Sequence, residues 1–88
     1  MFYGYVLRSE KNDELYIGST NDLKRRMRQH QEGHVVSTKA RRPFLLVYYE
    51  AYASEADARM RETRLKDRGQ ARRQLKERIA LSLRQSES

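Results

Sequence analysis

The 88-residue chain has no cysteine, no tryptophan, one proline and four glycines. Without cysteine there can be no disulfide framework, thiolate zinc site or cysteine nucleophile, and two histidines are too few for a histidine-rich metal cage. No apolar run approaches the ~20 residues needed to cross a bilayer, and Met1 leads straight into Phe2-Tyr3-Gly4-Tyr5 without a basic leader. Neither a membrane span nor a signal peptide is expected, which fits a soluble, cytoplasmic protein. An arginine-rich chain lacking tryptophan also argues against a base-stacking platform for single strands. A chain of this size forms one core, so residues 1–84 are expected to be a single domain with 85–88 a frayed tail, and the active site must share residues with that core.

What the chain has in excess is positive charge, formally +7. Between positions 59 and 84 ten Lys and Arg stand against Glu62, Asp67 and Glu77, so the C-terminal third carries the whole excess and the remainder is balanced. Localised positive charge of this kind suits a phosphate backbone; a solvated helix surface is the plainer explanation.

Residues 2–8 and 15–18 are rich in aromatic and β-branched types on either side of a polar stretch, which predicts two strands joined as a hairpin. Thr20-Asn21-Asp22 supplies helix-capping types, and Gly33 suits the left-handed turn that ends a helix, giving a first helix over residues 22–32. Residues 34–43 read as a loop. The apolar run Phe44-Leu45-Leu46-Val47-Tyr48-Tyr49 predicts a central strand covered on both faces. Ser54 with Asp57 resembles a capping box opening a second helix that stops near Gly69, and Ala71, Leu75, Ile79 and Leu83 mark the apolar stripe of a third. The expected class is α+β.

Two helices carry polar residues where apolar ones belong. The inward stripe through Leu23 and Met27 also contains Arg26 and His30, and the stripe through Ala58 and Leu65 contains Glu62. Buried charge is costly unless paired, hydrogen-bonded or bound to metal. Structural roles would satisfy these residues through a Glu62–Lys66 pair one turn apart, or an internal Arg26–Glu62 bridge. Together, however, arginine, histidine and glutamate beside a tyrosine-bearing hairpin are parts suited to phosphoryl-transfer chemistry at a cleft. Tyr48, Tyr49 and Tyr52 are assigned to the tyrosines that fill volume and find one partner for the hydroxyl.

The order of these residues resembles the GIY-YIG nuclease superfamily. Tyr16-Ile17-Gly18 matches the second signature and Tyr3-Gly4-Tyr5 stands at the first, where Gly4 replaces a branched residue. Ser19-Thr20-Asn21-Asp22-Leu23-Lys24-Arg25-Arg26 is similar to the run that presents the family's essential arginine, with His30 one turn later. Arg42-Pro43-Phe44-Leu45-Leu46-Val47-Tyr48 looks like its third strand, and the segment from Ser54 to Glu62 resembles the helix bearing its metal-binding glutamate, with Lys66 following. Ser37 stands where short members often have tyrosine. The resemblance spans about residues 2–68 and is closest to short single-domain bacterial members.

It implies a three-stranded antiparallel sheet flanked by helices, with the site on the sheet face where the first two helices meet it. It further implies hydrolysis of phosphodiester bonds in nucleic acid, DNA in preference to RNA, with Glu62 holding one Mg²⁺ or Mn²⁺. Arg26 would pair with the scissile phosphate. Tyr5 or Tyr16 would orient or deprotonate the water through a phenol lowered from about 10, and His30 would relay the proton. Lys39, Arg41, Arg42, Arg59 and Lys66 are expected to contact the nucleic acid, with weak sequence specificity. A non-catalytic nucleic-acid-binding module using the basic C-terminal helices is the alternative. A protein adaptor docking through the last helix is a third reading, less simple because its stripe is explained as core.

Overall fold

The computed structural model describes residues 1–84; the tail expected to fray lies outside the described residues. Phe2–Ser9 (β1) and Leu15–Thr20 (β2) form the expected hairpin, antiparallel, with Tyr5 opposite Gly18 and Gly4 opposite Ser19. The loop between them is tied by the Ser9 hydroxyl, which accepts the backbone N–H of Lys11 and Asn12, and by Arg8 on Asp13 at 2.5 Å. Phe44–Tyr52 (β3) adds to the other side of β1, giving the order β2-β1-β3. The central strand is therefore β1, and β3, expected to be central, is an edge. A run of apolar residues alone does not distinguish the two. Residues 4–9 of β1 are all buried, whereas Leu46 and Tyr49 of β3 lie exposed and Tyr48 and Tyr52 turn their hydroxyls to Glu50.

Leu23–Gln31 (α1) starts where the capping residues predict, with the Asp22 carboxylate accepting the Arg25 N–H at 3.1 Å, and the chain leaves it through Gly33 at φ +79°. A single 3₁₀ turn, Lys39–Arg41, interrupts the loop that follows. Glu55–Lys66 (α2) begins after Ser54, but the Ser54 side chain makes no capping bond, so the expected box is absent, and the helix ends at Lys66, just short of the stop expected near Arg68-Gly69. The third predicted helix is two, Gln70–Arg78 (α3) and Ala80–Arg84 (α4), because the backbone leaves the helical region at Ile79 (φ −107°, ψ 25°). The stripe still does its predicted work: Leu75 and Ile79 are buried, with Ala71 and Leu83 packed beside them.

Strand alternation then divides the core. Tyr5, Leu7 and Phe44 face α1, meeting Tyr16, Leu23 and Met27. Val6 and Ile17 face the other way, onto Leu65, Leu75 and Ile79. Burial of each such aliphatic side chain contributes about 1.5–3 kcal/mol. Gly4 lies on this second face, where an added methyl would reach ordinary contact with the Ala58 carbonyl at 4.0 Å. The fold is thus a three-stranded antiparallel sheet flanked by helices on both faces. Among the described residues no helix is long and apolar enough to cross a membrane.

Candidate active site

On the α1 face four of the expected residues converge. His30 is wholly buried, its ring edge-on to Tyr16 at 5.0 Å between centroids and to Tyr5 at 5.8 Å. Its Nε2 lies 2.9 Å from the Tyr5 hydroxyl and its Nδ1 2.9 Å from Thr38 Oγ1. The Thr38 hydroxyl donates to the Val35 carbonyl at 3.3 Å, which fixes the direction of the chain. Having spent its proton, Thr38 accepts from His30 Nδ1–H; His30 Nε2 must then accept, and the Tyr5 hydroxyl donates to it. Arg26 Nε donates in turn to the Tyr5 oxygen at 3.4 Å, while its Nη1 holds Gln29 at 3.1 Å.

Burial governs the ionisation of this chain. The loss of solvent, then the positive charge of Arg26, lowers the His30 pKa to about 4, so the imidazole is neutral at pH 7. Burial also pushes the Tyr5 phenol up, and the Arg26 hydrogen bond only partly offsets it. Of the two groups expected to lower this phenol, Arg26 is in place, and its effect is smaller than that of burial. Gly18 is required by the same packing: a Cβ there would stand 2.5 Å from the Tyr5 hydroxyl oxygen.

Glu62 lies on the opposite face, with α2, so the five residues do not share the single face expected of them. One carboxylate oxygen accepts from Ser19 Oγ at 2.5 Å and the other meets Lys66 Nζ at 2.6 Å, the structural pairing foreseen one turn along the helix. The alternative internal bridge to Arg26 is not formed, since Arg26 is held by Tyr5 and Gln29. Burial raises the Glu62 carboxyl, but Lys66 and Ser19 outweigh it and hold it below the usual carboxylate range.

The two halves meet at the end of the sheet. A cleft of about 370 Å³ opens there, lined by Ser19, Asp22, Arg25, Arg26, Ala58 and Arg59 among others. Arg26 reaches it from one face, and Ser19, the partner of Glu62, reaches it from the other. Arg59 lines it while pairing with Glu55 at 3.6 Å. The remaining expected cations lie apart: Arg41 is held by Glu14 and the Ser37 carbonyl, Arg42 by the carbonyls of Lys39 and Gln31, and the side chain of Lys39 is exposed.

As a metal ligand Glu62 offers an ionised carboxylate beside a hydroxyl. Among the described residues no three His, Cys, Asp or Glu side chains converge, so an all-protein cage is not formed. The donor set fits one hydrated cation of the Mg²⁺ type, which keeps most of its waters and takes one or two carboxylates, once Lys66 yields its oxygen.

The family model of the GIY-YIG catalytic domain matches residues 1–76. This chain belongs to that family. GIY-YIG domains are a nuclease family, one whose members generally use a divalent metal, and membership points to nucleic acid as substrate. A UPF0213 protein of Pediococcus pentosaceus is 43% identical over 68 residues, covering 76% of this chain and 70% of its own. Another, of Bacillus pumilus, is 42% identical over 65 residues, 73% of this chain and 65% of its own, so the chain spans about two thirds of the length of these relatives. The solution NMR structure of the UPF0213 protein BH0048 from Bacillus halodurans superposes with a TM-score of 0.55 at 32% identity, over 92% of this chain and 85% of that one. Ser19 and Thr38, which hold Glu62 and His30, were not foreseen. Ser19 follows the second signature directly and could have been suspected; nothing distinguishes Thr38 in a loop without period.

Proposed function

We propose that this GIY-YIG domain is an endonuclease that hydrolyses phosphodiester bonds of nucleic acid, DNA in preference to RNA and with weak sequence specificity, using one Mg²⁺ or Mn²⁺ held by Glu62. The observation that carries this reading is the directed chain that runs from Arg26, at the cleft, through Tyr5 and His30 to buried Thr38, with Ser19 on the far wall of the cleft and Glu62 bonded behind it. When bound, the cation supplies positive charge that neutralises the reacting phosphate and the departing 3′-oxygen.

The remaining work falls to side chains. Arg26, whose planar fork suits a phosphate, orients the scissile group from the α1 side, with Arg25 and Arg59 on the same cleft for its neighbours. Tyr5 accepts the proton of the attacking water while passing its own to His30 Nε2. A relay suits a phenol raised by burial, because no free phenolate has to be populated beforehand. The phosphate's negative charge offsets that of Arg26, which raises the proton affinity of His30 when substrate is present. Thr38 keeps His30 in the tautomer that can accept. Tyr16, half-buried beside both Tyr5 and His30, packs the relay in place.

The test is cleavage of a labelled panel of duplex, forked and single-stranded DNA and of RNA at low salt, with Mg²⁺, Mn²⁺ or EDTA. Native protein and Glu62→Gln are compared. Metal-dependent cleavage lost in Glu62→Gln supports the hydrolase and names its substrate. Binding across the panel without cleavage by either protein would instead favour the non-catalytic module.

A further inference from the structure

A second concavity, about 700 Å³, lies away from the cleft, between the tip of the β1–β2 hairpin and the turn from α2 to α3. Six cations line it: Arg41, Lys66, Arg68, Arg72, Arg73 and Lys76. Its two acids are already neutralised in place, Asp13 by Arg8 at 2.5 Å and Glu14 by Arg41 at 3.2 Å. Arg72 spends one guanidinium nitrogen on the Leu65 carbonyl at 3.3 Å. Among the described residues no carboxylate is within ion-pair distance of Arg68, Arg73 or Lys76, and all three are exposed. An ordinary solvated helix face intersperses charges of both signs; here a concave surface carries six cations against two acids, both already paired. Arg72, Arg73 and Lys76 project from α3, whose rotation is fixed by its buried Leu75, and Arg68 stands just before that helix.

Lys66 joins this groove to the active site, since it lines the groove while its Nζ touches Glu62. We propose that the groove is a binding track for the sugar–phosphate backbone of the substrate, so that the bound strand runs past Lys66 and continues over Arg68, Arg73 and Lys76. The substrate class is then a polynucleotide with several phosphates on one side of the scissile bond, and a dinucleotide, which fills only the cleft, makes no use of the groove. Acidic protein or an anionic membrane would meet the same charge, but neither accounts for a groove that leads to Glu62. The placing of the scissile phosphate rests on the nuclease reading, whereas the groove's charge and shape do not.

The experiment is fluorescence anisotropy of a labelled duplex in EDTA, titrated across a salt series, so that binding is read without cleavage. Native protein is compared with the triple variant Arg68→Ala/Arg73→Ala/Lys76→Ala and with Lys24→Ala/Arg28→Ala on the exposed face of α1, each checked by circular dichroism. The groove triple is expected to weaken binding at least about tenfold and to reduce the slope of log affinity against log salt by about 2 to 3, roughly one per lost phosphate contact. The α1 double should move neither by a comparable amount, and a labelled dinucleotide should bind native and triple alike.

Unchanged affinity and slope in the folded triple would overturn the proposal, as would an equal effect of the α1 double. Binding to phosphatidylserine vesicles with none to the duplex would overturn it too. If the native protein cleaves nothing yet its binding depends on the three cations, the groove stands and the hydrolase falls. If cleavage is metal-dependent and the triple binds as the native protein does, the hydrolase stands and the groove falls.

Discussion

On the α1 face of the sheet the polar residues run inward to buried, uncharged groups, whereas on the α2 face they stay charged and half-exposed. His30 and Thr38 are completely buried and each divides its hydrogen bonds between two partners in a fixed direction, His30 between Tyr5 and Thr38 and Thr38 between His30 and the Val35 carbonyl. Glu62 and Lys66 form an ion pair between consecutive turns of one helix, with Lys66 more than half exposed. Burial gives the first group a fixed geometry at the expense of its readiness to ionise; exposure leaves the second free to exchange partners. A site that needs both a placed relay and an exchangeable carboxylate can obtain them from one sheet by using its two faces.

The sharpest way to break this comparison is at Arg26, where the two halves meet the cleft. Arg26→Ala is expected to lower kcat by about 10²–10³, comparable to removing one transition-state donor, and Arg26→Lys should restore only part because it lacks the planar fork. Single-turnover kinetics with a saturating duplex would check it, and a change confined to KM would assign Arg26 to binding alone.

Titration probes the buried half. The folded-state pKa of His30 lies below its unfolded value of about 6.5, so the unfolded chain takes up the proton first, and stability falls as pH drops from about 6.5 towards 4. The loss reaches about 3 kcal/mol at the lower end. Chemical denaturation from pH 7 to 4 should show that loss in the native protein and less of it in His30→Gln; parallel curves would refute a buried neutral imidazole.

Two substitutions sharpen the geometry. Thr38→Val leaves His30 Nδ1–H buried without its acceptor, at about 1–3 kcal/mol of stability, and should slow cleavage by releasing the tautomer. Gly18→Ala forces the Tyr5 ring aside and is expected to cost about 1–3 kcal/mol. Equilibrium denaturation checks both, and an unperturbed Gly18→Ala would contradict the contact between Tyr5 and Gly18. The smallest effect belongs to the exposed half: Lys66→Met should change stability by less than about 1 kcal/mol in the same measurement.

A third polar cluster shows how far pattern reading extends. Glu50 accepts from Tyr48 and Tyr52 and from Arg61 Nε at 3.1 Å, tying β3 to α2 beside Glu62. Tyr48 and Tyr52, expected to fill volume and find one hydroxyl partner, both find it in Glu50, and burial with the Glu50 bond pushes the Tyr52 phenol up to about 12. In sequence Glu50 is one acid after an apolar run, and only the arrival of α2 supplies its partners.

By itself the sequence determined the periodic and local features: the hairpin, the run of capping residues before α1, the left-handed exit at Gly33, the stripe through Leu75 and Ile79, and the choice of Arg26, His30 and Glu62 as polar residues on apolar faces. These follow from propensity and side-chain direction, which the chain carries wherever it goes. Tertiary structure alone decided which strand is central, that Glu62 and Tyr5 lie on opposite faces, and that Thr38 and Ser19 orient the site. Each of those depends on how separated segments meet in space. The capping box at Ser54 and the unbroken third helix failed because both rest on local preferences, worth about 0.5–2 kcal/mol for a cap, which tertiary context can override.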